Sequence, residues 1–133
     1  MRNPLADPGI IGVSSGAAFA AVLVSSFLPS LAVWTPLFSF AGGLLAHGVV
    51  REEHIGLISD NRKEWEHADM GLMMLGAIDV PRGCDATIGD LEYILSFAEC
   101  KRVIVENASQ IEKILGIKEK LPLVNELIVF ESP

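Results

Sequence analysis

From residue 8 to residue 50 the chain carries no Asp, Glu, Lys or Arg, and from Arg51 onward a charge falls every few residues. This partition constrains the fold more than any single motif. An uncharged stretch of that length offers water no polar face, whereas the remainder has the mixed texture of a globular domain. Arg2 and Asp7 cancel, so the whole formal charge of −7 resides after Val50, with nine basic against sixteen acidic side chains. Nucleic acid is excluded as a partner, because phosphate binding needs a clustered basic surface. With the first 50 residues set apart, about 85 remain to build a core, a size at which burial is marginal. Cys84 and Cys100 are the only cysteines. Their spacing is not that of a metal-ligand pair, and two reduced thiols are expected.

Residues 1–7 are polar and lead into Asp7-Pro8-Gly9, a turn signal. Asp7 stands where the basic start of a signal peptide would continue, and no small-residue cleavage site follows, so a secretory leader is not expected. Residues 9–28, GIIGVSSGAAFAAVLVSSFL, are apolar or small throughout. As a helix they would be about 30 Å long, enough to cross a bilayer. A buried helix of a soluble protein is the alternative; the lack of any charged face favours lipid. Pro29 and Pro36 bracket a short connection containing Trp34, an interfacial residue in the membrane reading. The second apolar run, 37–46, is too short to span alone and is equally a helix of a soluble domain ending at Gly48. Arg2 and Arg51 flank the apolar region on both sides and set no orientation.

Beyond Arg51 the pattern is that of an α/β unit. Residues 54–59, HIGLIS, form the kind of short apolar run that makes a buried parallel strand. Ser59, Asp60 and Asn61 offer N-cap oxygens to a helix over 62–75, where Trp65, Ala68, Leu72 and Leu75 recur at spacings of three and four before Gly76. A second strand, 77–80, is closed by Pro81. Thr87 with Asp90 resembles a capping box heading a helix over 88–99, with Ile88, Leu91, Leu95 and Ala98 as its apolar stripe. Residues 103–105 give a third strand. Ser109 and Glu112 repeat the capping pattern before Ile111, Ile114 and Leu115, with Gly116 as a stop, and 127–130 give a fourth strand. Strands separated by helices imply a parallel sheet with helices on its faces. The expected fold is therefore α/β, a partial parallel sheet with flanking helices, preceded by one or two apolar, transmembrane-like helices. Its parts are an apolar helical segment over 1–37, a junction helix over 38–50 and a truncated α/β domain over 51–133. The last strand leaves 124–130 as an exposed edge through which copies of the chain are expected to associate.

Residues able to do chemistry are sparse. His54 and His67 have no Cys or second His one turn away, which leaves them as solvated imidazoles rather than metal ligands. Glu64, Glu66 and Asp69 form a solvated helix face, and Met70, Met73 and Met74 fill core. Asp79, on a strand expected to be buried, needs a partner, and Arg82 is the nearest. A phosphate cradle requires consecutive backbone N–H groups with a Lys beside them, and the Gly-rich stretch 40–43 is apolar with no Lys or Arg near. No catalytic, cofactor-binding or metal-ligating residue is assigned.

Two longer strings carry resemblances. In residues 2–23, Asn3-Pro4-Leu5-Ala6-Asp7-Pro8 and Gly12-Val13-Ser14-Ser15-Gly16-Ala17-Ala18 stand in the order and spacing of a signature. Through them residues 2–46 resemble a transmembrane segment of permease subunits of ABC importers for iron-siderophores, haem and cobalamin. The other spans of such a permease and its coupling helix are not in the sequence, so transport is not carried over. Residues 38–131 resemble the N-terminal region of AMP-forming long-chain fatty acid–CoA ligases, of the adenylate-forming superfamily. The close runs are Ile58-Ser59-Asp60-Asn61-Arg62-Lys63-Glu64-Trp65 and Gly76-Ala77-Ile78-Asp79-Val80-Pro81-Arg82-Gly83.

The second resemblance implies that a fatty acid attacks the α-phosphate of ATP, that coenzyme A cleaves the acyl-adenylate, and that Mg²⁺ sits on the phosphates. ATP, Mg²⁺ and coenzyme A are thus cofactors of the full-length family. Its phosphate loop, acidic nucleotide motifs and catalytic lysine are not among the 133 residues, and the chain alone is expected to lack ligase activity. A chimera joined at FSFAGGLLA, a string both families tolerate, accounts for the pair. The expected function is that of a ligase fragment, cytoplasmic and anchored to the inner membrane through 9–28. The alternatives are a permease fragment that associates with transporter subunits and a non-functional open reading frame.

Overall fold

The computed structural model describes residues 21, 22, 26 and 34–131. Apart from those first three positions, the expected spanning segment 9–28 lies outside the described residues. No described helix is long and apolar enough to cross a membrane.

The elements in order are α1 Thr35–Ala46, β1 His54–Ile58, α2 Lys63–Leu75, β2 Ile78–Arg82, α3 Ile88–Phe97, β3 Arg102–Val105, α4 Ala108–Gly116, a 3₁₀ turn Lys118–Lys120 and β4 Glu126–Val129. All four strands are parallel, in the order β2-β1-β3-β4. Side-chain alternation along them separates two apolar layers. Ile55, Leu57, Ile104 and Ile128 face one layer, with Leu44 of α1 and Ala68 and Leu72 of α2. Ile58, Val103, Val105 and Leu127 face the other, with Leu91 and Leu95 of α3 and Ile114 of α4. Covering both faces is what turns β1 and β3 into near-continuous apolar runs. Gly56 belongs to the second layer. A Cβ there would stand 2.6 Å from Leu95 Cδ2 and 3.0 Å from Val103 Cγ1, so the missing side chain lets α3 close on the sheet.

The second apolar run is part of this body. In α1, Pro36 occupies the first turn, where its missing N–H costs no helical bond. Gly48 takes the left-handed conformation, φ 76°, and Val49 N–H reaches back to Leu44 O at 3.1 Å, which ends the helix. Leu37, Ala41 and Leu44 are buried, and α1 packs on α2, where Gly71 admits Phe40 and Ala41. Of the two readings of 37–46 the one within an α/β domain holds, and the expected second transmembrane-like helix is corrected. At the amino ends of the strands Arg102 fastens the loop after α1 to the sheet. It bonds Glu53 and Glu126 and donates to His47 O at 3.1 Å, while His47 Nδ1 lies 3.0 Å from Glu126 Oε1.

Several local expectations change for identifiable reasons. Arg62, not Ser59, Asp60 or Asn61, precedes α2, and it makes no side-chain cap; Ser59 and Asp60 are engaged across the sheet end instead. Pro81 lies inside β2 rather than closing it, because β2 is an edge strand with one side free of ladder bonds. Asn107, not Ser109, caps α4, its Oδ1 accepting from Gln110 N–H at 3.3 Å, and Ser109 and Glu112 are exposed. The capping box of Thr87 and Asp90 forms, yet Ile88 is half exposed, so Leu91 and Leu95 carry the stripe. Met70, Met73 and Met74 are exposed rather than core, since the small Ala68 and Gly71, with Leu72, form the buried face of α2.

Candidate functional site

In an open parallel sheet ligands bind beyond the carboxyl ends of the strands, where the strand order reverses. Here the chain goes from β1 outward to β2, then returns to β3 on the other side, so the reversal lies between β1 and β3. The loops leaving the strands bring Ser59 and Asp60, Cys84, and Glu106 to that point. Glu106 joins them. Its Oε2 accepts from Ser59 Oγ and from Asp60 N–H, each at 3.0 Å, and lies 3.5 Å from Cys84 Sγ. Asp60 Oδ1 accepts from Cys84 N–H at 3.0 Å, closing the ring between the loops. Arg62 then extends it, bonding Glu64 and Glu131 and approaching Glu106 Oε1 at 3.7 Å. Lys113 of α4 donates to Cys84 O at 2.8 Å.

Opposite protonation tendencies follow. The Asp60 N–H bond, helped by Ser59, Cys84 and the nearby Arg62 cation, holds the Glu106 carboxyl below the usual carboxylate range. Burial, with the Glu106 and Asp60 charges, pushes the Cys84 thiol up. A thiol so placed is a poor nucleophile at neutral pH. The arrangement can accept protons, hydrogen bonds or a cation, and its donor set is a thiol and two carboxylates whose ligand atoms lie within 4.8 Å of one another. Beside it an open cleft is lined by Ser59, Asp60, Asn61, Trp65, Arg82 and Gly83, among others.

The residues singled out in the sequence fall elsewhere. His54 Nδ1 lies 2.8 Å from Ala98 O, and His67 is half-buried on α2. Glu64 pairs with Arg62 and Glu66 is exposed. Asp69, expected on a solvated face, meets Asp79: burial first, then the Asp79 carboxylate beside it, raises its pKa. Asp79 is therefore half-buried against another acid, and among the described residues no ion pair joins it to Arg82. Cys100 is free and fully buried, its thiol pushed up to about 11 by that burial. Asp60, Cys84 and Glu106 were not assigned because they are far apart in sequence; the available signal was that each follows an expected strand by one to four residues.

The triphosphate of ATP finds no fit among the described residues. Gly42 and Gly43 lie within α1, where their N–H groups belong to the helix.

Known proteins of two kinds are similar to this chain. A permease protein of the hemin transport system of Yersinia pestis is 35% identical over 97 residues, 70% of this chain and 27% of the relative. A chloroplastic long-chain-fatty-acid–[acyl-carrier-protein] ligase of Arabidopsis thaliana is 35% identical over 71 residues, 53% of this chain and 10% of the relative. The crystal structure of a long-chain-fatty-acid-CoA ligase from Archaeoglobus fulgidus superposes with a TM-score of 0.63 at 26% identity, covering 68% of this chain and 18% of that one. The chain thus spans about a quarter or less of the length of each. The family model described as AMP-binding enzyme matches residues 33–133, starting just before α1 and taking in every strand. The chain belongs to the AMP-binding enzyme family.

Proposed function

We propose that the chain supplies the first part of the N-terminal domain of an ATP-dependent long-chain fatty acid–CoA ligase. The observation that supports this reading is the superposition of 68% of the chain, which is built on the β2-β1-β3-β4 parallel sheet, on the archaeal ligase. In such an enzyme the acid's carboxylate displaces pyrophosphate from ATP, and the thiol of coenzyme A then displaces AMP. The part played by residues 34–131 is architectural: they set the sheet against which the remaining domain assembles. The chain alone does not catalyse the reaction, because the described residues offer no phosphate cradle with a cation beside it.

The same reading assigns the residues before α1 to a separate, permease-like segment, which α1 joins to the strands. Residues 9–28 then tether the domain to the cytoplasmic face of the inner membrane. The hemin permease relative supports a second reading, in which the leader associates with transporter subunits. Isolated copies self-associate through 124–130. β4 is outermost on its side and carries Leu127-Ile128-Val129 with no Pro, whereas the opposite edge strand holds Pro81.

Complementation tests the proposal. The purified chain, given ATP, Mg²⁺, coenzyme A and a long-chain fatty acid, releases no AMP. Co-expressed with a fatty acid–CoA ligase deleted of its matching N-terminal residues, it restores acyl-CoA formation. AMP release by the chain alone, or no restoration by a soluble complex of the two parts, would overturn it.

A further inference from the structure

We propose that the outer face of α3 is a self-recognition surface, on which α3 of a second copy of this chain packs antiparallel about a two-fold axis through Tyr93. Neither the ligase reading nor the β4 edge is needed for it. Gly89, Glu92, Tyr93, Ser96 and Phe97 line an open hollow. Their spacings of three and four put them on one face of the helix, away from Leu91 and Leu95, which are buried in the core. Tyr93 and Phe97 stand out from that face, 69% and 77% exposed. Their rings stack, with centroids 5.8 Å apart and planes 16° from parallel, and so form a single aromatic ledge.

Gly89 supplies the complement to the ledge. Among the described residues, and leaving aside its own helix backbone and chain neighbours, a Cβ there would meet only Thr87 Oγ1, at 3.8 Å. Gly56 and Gly71 each admit a close neighbour, whereas the missing side chain of Gly89 serves no packing inside the molecule, although glycine weakens a helix. What it leaves is a hole in the surface of α3, four residues before Tyr93 as Phe97 is four residues after it. In an isologous pair, residue i meets j while j meets i. With the axis at Tyr93, Phe97 of each copy enters the hole over Gly89 of the other, and the Gly89-Tyr93-Phe97 ridge interlocks with its copy as i±4 ridges do.

Charge and area set the strength of the contact. Glu92 is the charged residue that lines the hollow, and Lys120 Nζ lies 2.7 Å from its Oε2. Antiparallel order sets Asp85 and Asp90, at the amino end of each helix, beside Glu99 and Lys101 at the carboxyl end of the other, and opposes the two helix dipoles. At longer range the charge of −7 on each copy is repulsive. The exposed parts of Tyr93, Phe97 and Ile88, with Glu92 and Ser96, amount to roughly 450 Å² a copy. The pair therefore hides about 900 Å² in all, less than the ~1,200 Å² of a stable complex, which makes the dimer weak and transient.

Tyr93 is the only tyrosine, so fluorine NMR of the full chain labelled with 3-fluorotyrosine reads this surface and not the β4 edge. The single signal is expected to move with protein concentration between about 10 μM and 1 mM, and at lower concentration when added salt screens the net charge. Phe97→Gln and Gly89→Gln, both at exposed positions, each weaken the association about tenfold or more while circular dichroism stays unchanged. Three results would each overturn the proposal. One is a signal independent of concentration, whether Tyr93 is then free or covered by another segment of the same chain. The others are a concentration dependence that survives Phe97→Gln and one that survives Gly89→Gln.

Discussion

Gly56 is the position where a single added carbon is felt most sharply. A methyl group on it meets Leu95 and Val103 at once, both fully buried and unable to yield without moving α3 or β3. Gly56→Ala therefore destabilises the fold by about 1–3 kcal/mol, the cost of overpacking a filled core, measured by chemical denaturation. Asp69 tests the carboxyl pair. Its folded-state pKa is raised, by burial first and then by Asp79. The carboxyl's favourable contribution is therefore complete below its unfolded value of about 3.9 and is lost as pH rises through the raised folded value. Asp69→Asn stabilises the protein at neutral pH, and the gain disappears in melts run below about pH 3.9. Neither feature was legible in the chain itself. Asp69 and Asp79 sit ten residues apart on different elements, and only the packing of α2 against the sheet makes them neighbours. By contrast the Thr87–Asp90 box was legible, because capping is local and three residues suffice to specify it.

Among the elements, α1 is decided by its contacts rather than by its composition. An apolar 12-residue helix satisfies lipid and protein core alike, so its sequence left both readings open. Arg102 and the Phe40–Gly71 approach are long-range partners that no local pattern announces. Arg102 carries the prediction at this scale. Its side chain is 17% exposed and that of Glu53 only 6%, so Arg102→Ala strands a buried carboxylate and costs about 3 kcal/mol. The double variant Arg102→Met with Glu53→Gln recovers most of that loss; denaturation of the single and double variants reads the difference. The strands and helices after Arg51 were legible because alternation, apolar runs and Gly stops are short-range signals. Their ends shifted by one or two residues, as where an edge strand tolerated Pro81 and where Asn107 captured the cap of α4.

For the whole molecule, the order of the strands decides what the chain can offer. Consecutive strands joined by helices imply a parallel sheet, but not that β1 and β3 would be central with β2 and β4 outside. That order creates the reversal at which Asp60, Cys84 and Glu106 converge, which is why the cluster has no sequence spacing of its own. It also sets the account's central claim, that α1 and the four strands are one cooperative body of the AMP-binding type. Amide hydrogen exchange on the full chain tests this directly. Peptides spanning α1 are predicted to share the slow, common protection of those spanning β1 and β3, all losing it together in denaturant. Fast exchange in α1 while β1 and β3 remain protected would contradict the claim and return that helix to the apolar segment before it.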